Sequence, residues 1–392
     1  MLKPNRIVFL KALFYASDFF YVFDKVTYKT KVVYSEKTIK NTNADQGLYL
    51  IQDVPNYLKT HTPEKSKFKK TEVQTLQGFL VETNKFDTLE AYLKHNFGAK
   101  SRSNLRRYQN RLEKCFTIDY TCYYGSIPKE EYNKLFIALK ELLIRRFEEK
   151  KESNYELQHF DEYHDLIYNL ILKKEASLFV IYHNKKPISI RINMFKANLG
   201  FYIMSCYDID YSKFHLGAID MLKNIEWCFK NDIATYDLLK GYEYYKKDWM
   251  TTTYSYYNHI IYDANSSKAT LVAFFTKLRI SYRYKLYYIL KRINLHHPYK
   301  KIKQFLYNLS NKNKNHKELK QLTVSDLNLN KKENRIDFEN NTNYHFIKKY
   351  VIDLLFISKE HYNDIKVYRI LAEENYIVIE GKNKEWFFKI LN

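Results

Sequence analysis

The segment YDIDYSKFHLGAIDMLKNIEWCFKNDIATYDLLKGYEYYKKDW, Tyr207 to Trp249, is the stretch whose reading decides the fold. It begins at the end of an apolar run, GFYIMSCYD, and passes through a loop holding Ser212, Lys213, His215 and Gly217. A helical pattern, GAIDMLKNIEWCFKN, follows from Gly217, and then a strand pattern, ATYDLL. A strand, a short loop and a helix make an anion-binding arrangement. The first amides of a helix have no partner within it, the helix dipole places partial positive charge there, and a glycine lets a diphosphate approach the backbone. Gly217 also reads as a residue that simply eases tight packing.

Upstream of this segment the pattern is regular. PKEEYNKLFIALKELLIRRFEEK, from Pro128, is an amphipathic helix with proline near its first turn and acids leading, and FDEYHDLIYNLILKKE is a second. SLFVIYH, the turn NKKP, ISIRINMF and GFYIMSCYD then read as three strands with short connections, which suits an antiparallel meander. The order is helix, helix, three strands, helix, strand. Further upstream, GFLVETNKFDTLEAYLKHNF reads as a strand and a helix with Leu89, Tyr92 and Leu93 on one face. SRSNLRRYQNRLEKC continues as a basic helix whose Arg102, Arg106, Arg107 and Arg111 partly share one side. The first 75 residues mix short aromatic runs with polar breaks such as KTIKNTNADQG and read as a small mixed domain or half-domain.

The order of elements resembles the GNAT acyltransferase fold. Within it, YSKFHLGAIDMLKNIEW and IATYDLLKGYEYYKKDW are similar to the pattern of CelD-like members, whose strand ends in Asp-Leu-x-x-Gly-x-Glu-x-Tyr-Lys-x-x-Trp. SRSNLRRYQNRLEK is similar to the basic helix those proteins carry upstream, and the resemblance covers about residues 78 to 250. It implies an α/β (α+β) chain with a mixed, largely antiparallel sheet in two GNAT-like halves. The expected boundaries are an N-terminal half over 1–125, a catalytic domain over 126–263, a basic helical extension over 264–317 and a small helix-plus-hairpin domain over 335–392.

The resemblance implies acetyl-CoA or another acyl-CoA as co-substrate, bound where two central strands splay, with direct attack by an amine or hydroxyl of an acceptor. Cofactor contacts then fall to Ser212, Lys213, His215, Gly217, Ala218 and Lys246. Glu243, just after Gly241 at the strand exit, is the expected general base, Tyr244 or Tyr245 the acid, and Asp237 a catalytic or orienting carboxylate. Arg106 and Arg107 are candidates for contact with the acceptor or another anion. Each has an ordinary reading too: an exposed Glu among lysines is commonly a solvated ion-pair partner, and a basic helix commonly a solvated face. The acceptor is expected to be a small molecule or an envelope glycan or lipid precursor. A FemAB-like transferase drawing on aminoacyl-tRNA, and a non-catalytic binding module that keeps the fold, are the alternatives.

Composition sets the outer limits. With 392 residues and 45% hydrophobic positions the chain is long enough for two or three domains with real cores, while 8 Gly and 6 Pro exclude collagen-like and low-complexity classes. Cys115, Cys122, Cys206 and Cys228 lack CxxC spacing and read as reduced thiols, so neither a zinc site nor a disulfide framework is expected. The apolar run Ile7 to Phe23 is interrupted by Lys11 and Asp18, which argues against a spanning helix and for a cytoplasmic location.

The net charge of +21 is unevenly spread: Ala264 to Lys317 holds 13 Lys or Arg and no Asp or Glu. Leu271, Phe275, Leu278, Tyr282, Leu286, Ile289 and Ile293 recur there at steps of three and four. Three readings follow, in order: a helix packing this stripe on the catalytic domain, an interfacial helix at an anionic membrane on the inner face, and a nucleic-acid surface. The C-terminus reads as a helix, YHFIKKYVIDLLFI, and a hairpin, YIVIE and EWFFKIL around GKNK.

Overall fold

The computed structural model describes residues 2–15, 22–35, 47–62, 67–151, 155–241, 244–293, 318–322, 332–370 and 375–391. Glu243, the basic positions beyond Ile293 as far as Lys317, and most of the polar linker after them lie outside the described residues. The chain is a mixed α/β protein that divides into two compact units, each discontinuous in sequence. The first holds residues 1–96, 193–203 and 227–302, and the second 97–192, 204–226 and 303–392. Each unit is discontinuous because strands in one sheet pair segments that are remote along the chain.

In the first unit the strands are β1 (Asn5–Val8), β2 (Lys25–Tyr28), β3 (Lys31–Ser35), β4 (Leu48–Pro55), β5 (Leu58–His61) and β6 (Phe68–Val81). To these the later chain adds part of β10 (Leu199–Tyr207), with β11 (Thr235–Lys240) and β12 (Thr252–Asp263). The main sheet runs β1-β4-β12-β6-β11-β10, and β3-β2-β5 form a small sheet of their own. Most neighbours are antiparallel, but β1 with β4 and β10 with β11 are parallel. The β10–β11 ladder has three rungs, Leu199–Thr235, Gly200–Tyr236 and Phe201–Asp237, although both strands run on beyond it. Helices α1 (Phe9–Tyr15) and α2 (Leu89–Asn96) belong to this unit, α2 burying Tyr92 and Leu93 as its periodicity predicts.

The second unit contains α3 (Ala99–Cys115), β7 (Ile118–Tyr123), α4 (Lys129–Lys150), α5 (Tyr155–Gln158), α6 (Phe160–Leu172), β8 (Ala176–His183) and most of β9 (Lys186–Lys196). Neighbours run β9-β8-β7. The β8–β9 connection is the pair Asn184 and Lys185, both at positive φ (47° and 64°), as a two-residue turn between twisted antiparallel strands demands. β8 is buried at every position, with the apolar run Leu178–Tyr182 at its centre. Helix α7 (Leu216–Lys230) follows the 3-10 turn Ile209–Phe214.

The C-terminal helix Ile347–Ser358 and the hairpin Tyr376–Glu380 with Glu385–Leu391 form where the sequence places them. They share one core with α3 and β8: Val351, Leu355 and Ile377 cluster with Leu112, Phe116 and Phe179.

Helix α9 (Ser267–Arg292) corrects the first sequence reading of the basic stretch. Ser266 caps it by accepting the Ala269 amide at 3.2 Å. It does pack on its sheet, but through the small and β-branched face. Ala273, with Val272 and Ile280 beside it, lies against Leu48, Leu50, Val73 and Ile260, and Ala269 is equally buried. The large apolar stripe points away from that face. Alanine lets the helix approach the strands closely, which the stripe's bulkier side chains do not.

Candidate functional site

In the second unit, α7 starts where the resemblance puts the phosphate loop. Asp208 opens the preceding 3-10 turn by accepting the Asp210 amide, and His215 ends it in the left-handed region at φ 56°. The carbonyl of His215 takes the amides of Ala218 and Ile219 at 2.9 and 3.2 Å. Among the described residues no protein acceptor pairs with the amides of Leu216 and Gly217, so two donors remain at the positive end of a 15-residue helix.

Several groups hold this junction. Arg191 of β9 donates through Nε to Asp220 of α7 at 2.9 Å, both fully buried, and Ser205 Oγ donates to the same carboxylate at 3.2 Å. A buried pair of this kind fixes geometry more than it adds stability. Asp208 and Asp210 bind Arg145 of α4 at 3.0 Å, and Lys348 of the C-terminal helix donates to Asp208 at 2.6 Å. Burial alone would raise the Asp208 carboxyl, but the charges of Lys348 and Arg145 outweigh it and hold the group below its ordinary value.

The sequence-predicted contacts divide here. The His215 ring stacks on Tyr108 of α3, centroids 3.8 Å apart at 24°. Burial, and then the nearby Arg107 charge, hold its pKa below the usual imidazole value. Arg106 and Arg107 lie on that same helix and, with Ser103, Asn110, Arg111, Lys114 and Lys359, line an open cavity of about 370 Å³. Ser212 is exposed, and exposed Lys213 pairs with Asp353 at 3.0 Å. Gly217 packs under the Tyr207 ring: a Cβ there would lie 2.9 Å from Tyr207 Cε1, so the glycine serves close packing as well as access. Ala218 is half-buried beside it.

In the first unit, Asp237 of β11 is 1% exposed. It accepts from Tyr57 Oη at 2.7 Å, from Tyr254 Oη at 2.7–2.8 Å and from the Leu239 amide at 2.8 Å. Tyr254 Oη in turn accepts from the Tyr256 hydroxyl. Gly78 makes room for this arrangement: opposite Tyr254 on β6, its place leaves no space for a Cβ, which would fall 2.2 Å from Tyr254 Cζ. Burial pushes the Asp237 carboxyl up to about 6, against the pull of the Tyr254 and Tyr57 hydroxyls.

Past Asp237, Leu239 and Gly241 both have positive φ, 62° and 111°. The Lys246 ammonium donates to the Lys240 carbonyl at 3.0 Å and is 95% buried, so it braces the strand exit from within. Tyr244, 77% exposed, and half-buried Tyr245 open helix α8 (Tyr244–Trp249); Glu243 just before them lies outside the described residues.

Sequence reasoning missed Arg191 and Asp220, and also Tyr57 and Tyr254. The first two had a signal, a lone charge inside each of two apolar runs, ISIRINMF and GAIDML. The tyrosines had none, since 38 are spread along the chain.

Residues 99–247 match the acetyltransferase (GNAT) domain family. The match begins with the basic helix α3, contains the α7 junction and Asp237, and ends beside Lys246. Among solved structures, FemX is similar at 13% identity and a TM-score of 0.39, with 58% of this chain and 75% of that one covered. L-PGS from Bacillus licheniformis is similar at 14% identity and 0.36 over 54% and 67%. The tandem GNAT protein from the clavulanic acid biosynthesis pathway is similar at 7% and 0.30 over 55% and 64%. No curated protein sequence matches the chain.

Proposed function

We propose that this chain is an acyl-CoA-dependent N- or O-acyltransferase of the CelD-like branch of the GNAT superfamily, acting on an amine or hydroxyl of a small-molecule, glycan or lipid acceptor. The observation that carries the reading is the start of α7. Inside the segment matched by the GNAT domain, a helix opens with the Leu216 and Gly217 amides unclaimed, and Arg107 and His215 lie beside it. Amides and dipole together suit the diphosphate of coenzyme A.

In this reading the acceptor nitrogen or oxygen attacks the thioester carbonyl, a base takes the nucleophile's proton, the C–S bond breaks, and the thiolate leaves and is protonated. Glu243 is assigned the base and Tyr244 or Tyr245 the acid. Asp237, sealed behind Tyr57 and Tyr254, is assigned a positioning role: it holds the strand exit that delivers Glu243. Lys246 acts from below through the Lys240 carbonyl. Glu243→Gln is expected to lower kcat roughly 10²-fold with the KM for acyl-CoA nearly unchanged. An unchanged kcat removes Glu243 from the role.

A second reading, an aminoacyl-tRNA-dependent transferase resembling FemAB proteins, draws on the cavity lined by Arg106, Arg107, Arg111, Lys114 and Lys359. Co-purifying RNA combined with silence toward acyl-CoA would favour it.

A further inference from the structure

Helix α9 carries two apolar faces. One is covered: Ala269, Val272, Ala273 and Ile280 lie toward the sheet, and Tyr288 Oη donates to the Thr75 carbonyl at 2.6 Å, clamping the helix along its length. The other is the seven-position stripe from Leu271 to Ile293. At about 100° per residue these seven side chains gather on the side opposite Ala273. Each is between 43% and 77% exposed, and Phe274 at 55% widens the patch. Folded domains rarely leave a contiguous apolar strip of this length to water.

The charges around the stripe say what covers it. Lys268, Arg279 and Arg283 flank it on one side and Lys285 and Arg292 on the other, and the helix has no Asp or Glu. Long basic arms beside an apolar strip reach headgroup phosphates while their stems stay in the acyl boundary. A second copy would set these flanks against like charge, which opposes self-pairing. No described helix is long and apolar enough to cross a membrane, so an apolar, basic helix of this kind lies in the interface plane. We infer that α9 docks the protein on an anionic lipid surface, its stripe at the acyl boundary and its five flanking cations among the phosphates. This inference stands on α9 alone and does not depend on the acyl-transfer reading.

The experiment is sedimentation of the full chain with vesicles of phosphatidylcholine containing phosphatidylglycerol, and with pure phosphatidylcholine vesicles, across a salt series. The wild type should pellet with the anionic vesicles at low salt, weaken as salt rises, and bind the neutral ones at least tenfold less. At about fivefold for each cation near the surface, the triple variant Arg279→Glu, Arg283→Glu, Lys285→Glu should bind at least a hundredfold less.

Because a chain of net charge +21 can adsorb through charge alone, the deciding variant is Phe275→Ser, Leu278→Ser, Leu286→Ser, which leaves every charge in place. It should lose at least tenfold in binding and keep its thermal unfolding, since all three side chains are exposed. Equal binding by the serine variant overturns the proposal, as does failure of the wild type to pellet at low salt. A wild-type dimer that the serine variant converts to monomer, seen by light scattering, assigns the stripe to a second copy and overturns it too.

Discussion

His215 lies flat on Tyr108, ring centroids 3.8 Å apart, so the loop that leads into α7 rests on the basic helix α3. Two segments that the sequence treats separately, the glycine loop and SRSNLRRYQNRLEK, thereby form one surface. With its pKa held below the ordinary value of about 6.5 by burial and Arg107, the imidazole is neutral at pH 7.5. A bound diphosphate favours its protonation, so His215 adds to binding increasingly as pH falls. Coenzyme A affinity measured at pH 5.5 and 7.5 should therefore rise more on acidification in the wild type than in His215→Gln, which supplies the baseline for titration of the ligand itself. Identical ratios in the two proteins would separate His215 from the diphosphate.

A substitution at Ala218 separates anion binding from folding by giving them opposite signs. A carboxylate in the first turn of α7 interacts favourably with the dipole, by about 0.3–1 kcal/mol, and repels a diphosphate at the same place. Ala218→Glu should unfold at the wild-type temperature or slightly above it and bind acetyl-CoA at least tenfold more weakly, about 1.4 kcal/mol. It also avoids the ambiguity of enlarging Gly217, which would push on Tyr207 whether or not a ligand binds there.

Asp237 gives the first unit a distinctive pH dependence. Its folded pKa is raised to about 6 by burial, so between roughly pH 4 and 6 the native state binds more protons than the unfolded chain. The sign follows: this group's contribution to stability falls as pH rises through that window. Asp237→Asn removes the titration, and its unfolding free energy relative to wild type should improve by on the order of 2 kcal/mol between pH 4 and 7. Denaturant unfolding across the window checks this, and a pH-independent difference would show that the carboxyl is not displaced.

His183 in the second unit runs the other way. Burial first, then the charges of Lys348, His361 and Lys186, lower it to about 4, while Tyr211 Oη lies 2.8 Å from Nδ1. The neutral ring contributes stability that is fully present above pH 6.5 and lost as pH falls toward 4, where the unfolded chain takes up the proton. His183→Gln should be destabilised most at pH 7.5 and lose that disadvantage by about pH 4.5. A constant penalty across this range would mean that His183 matters only for packing.

Much of the architecture was legible because its signals are local. The meander from Ala176 to Tyr207 shows in successive apolar runs, with Asn184 and Lys185 marking the turn, and the C-terminal hairpin shows in the same way. The partners of Asp237 were not legible: Tyr57 is 180 positions away, and no periodicity links them. Nor was the facing of α9. Periodicity locates an apolar stripe, but close packing chose the face of Ala269 and Ala273 instead and left the stripe outward. At the α7 junction the loop was readable, while the Arg191–Asp220 pair that anchors it comes from a strand and a helix whose alignment only the folded chain fixes.

The central claim is that the start of α7 binds the diphosphate of an acyl-CoA, and titration calorimetry of the full chain with acetyl-CoA tests it most directly. The account predicts a saturable heat with one site per chain, a thermal shift in parallel, and at least tenfold weaker binding in Ala218→Glu. No heat and no thermal shift with acetyl-CoA or longer acyl-CoAs, from a protein that melts cooperatively, would contradict it.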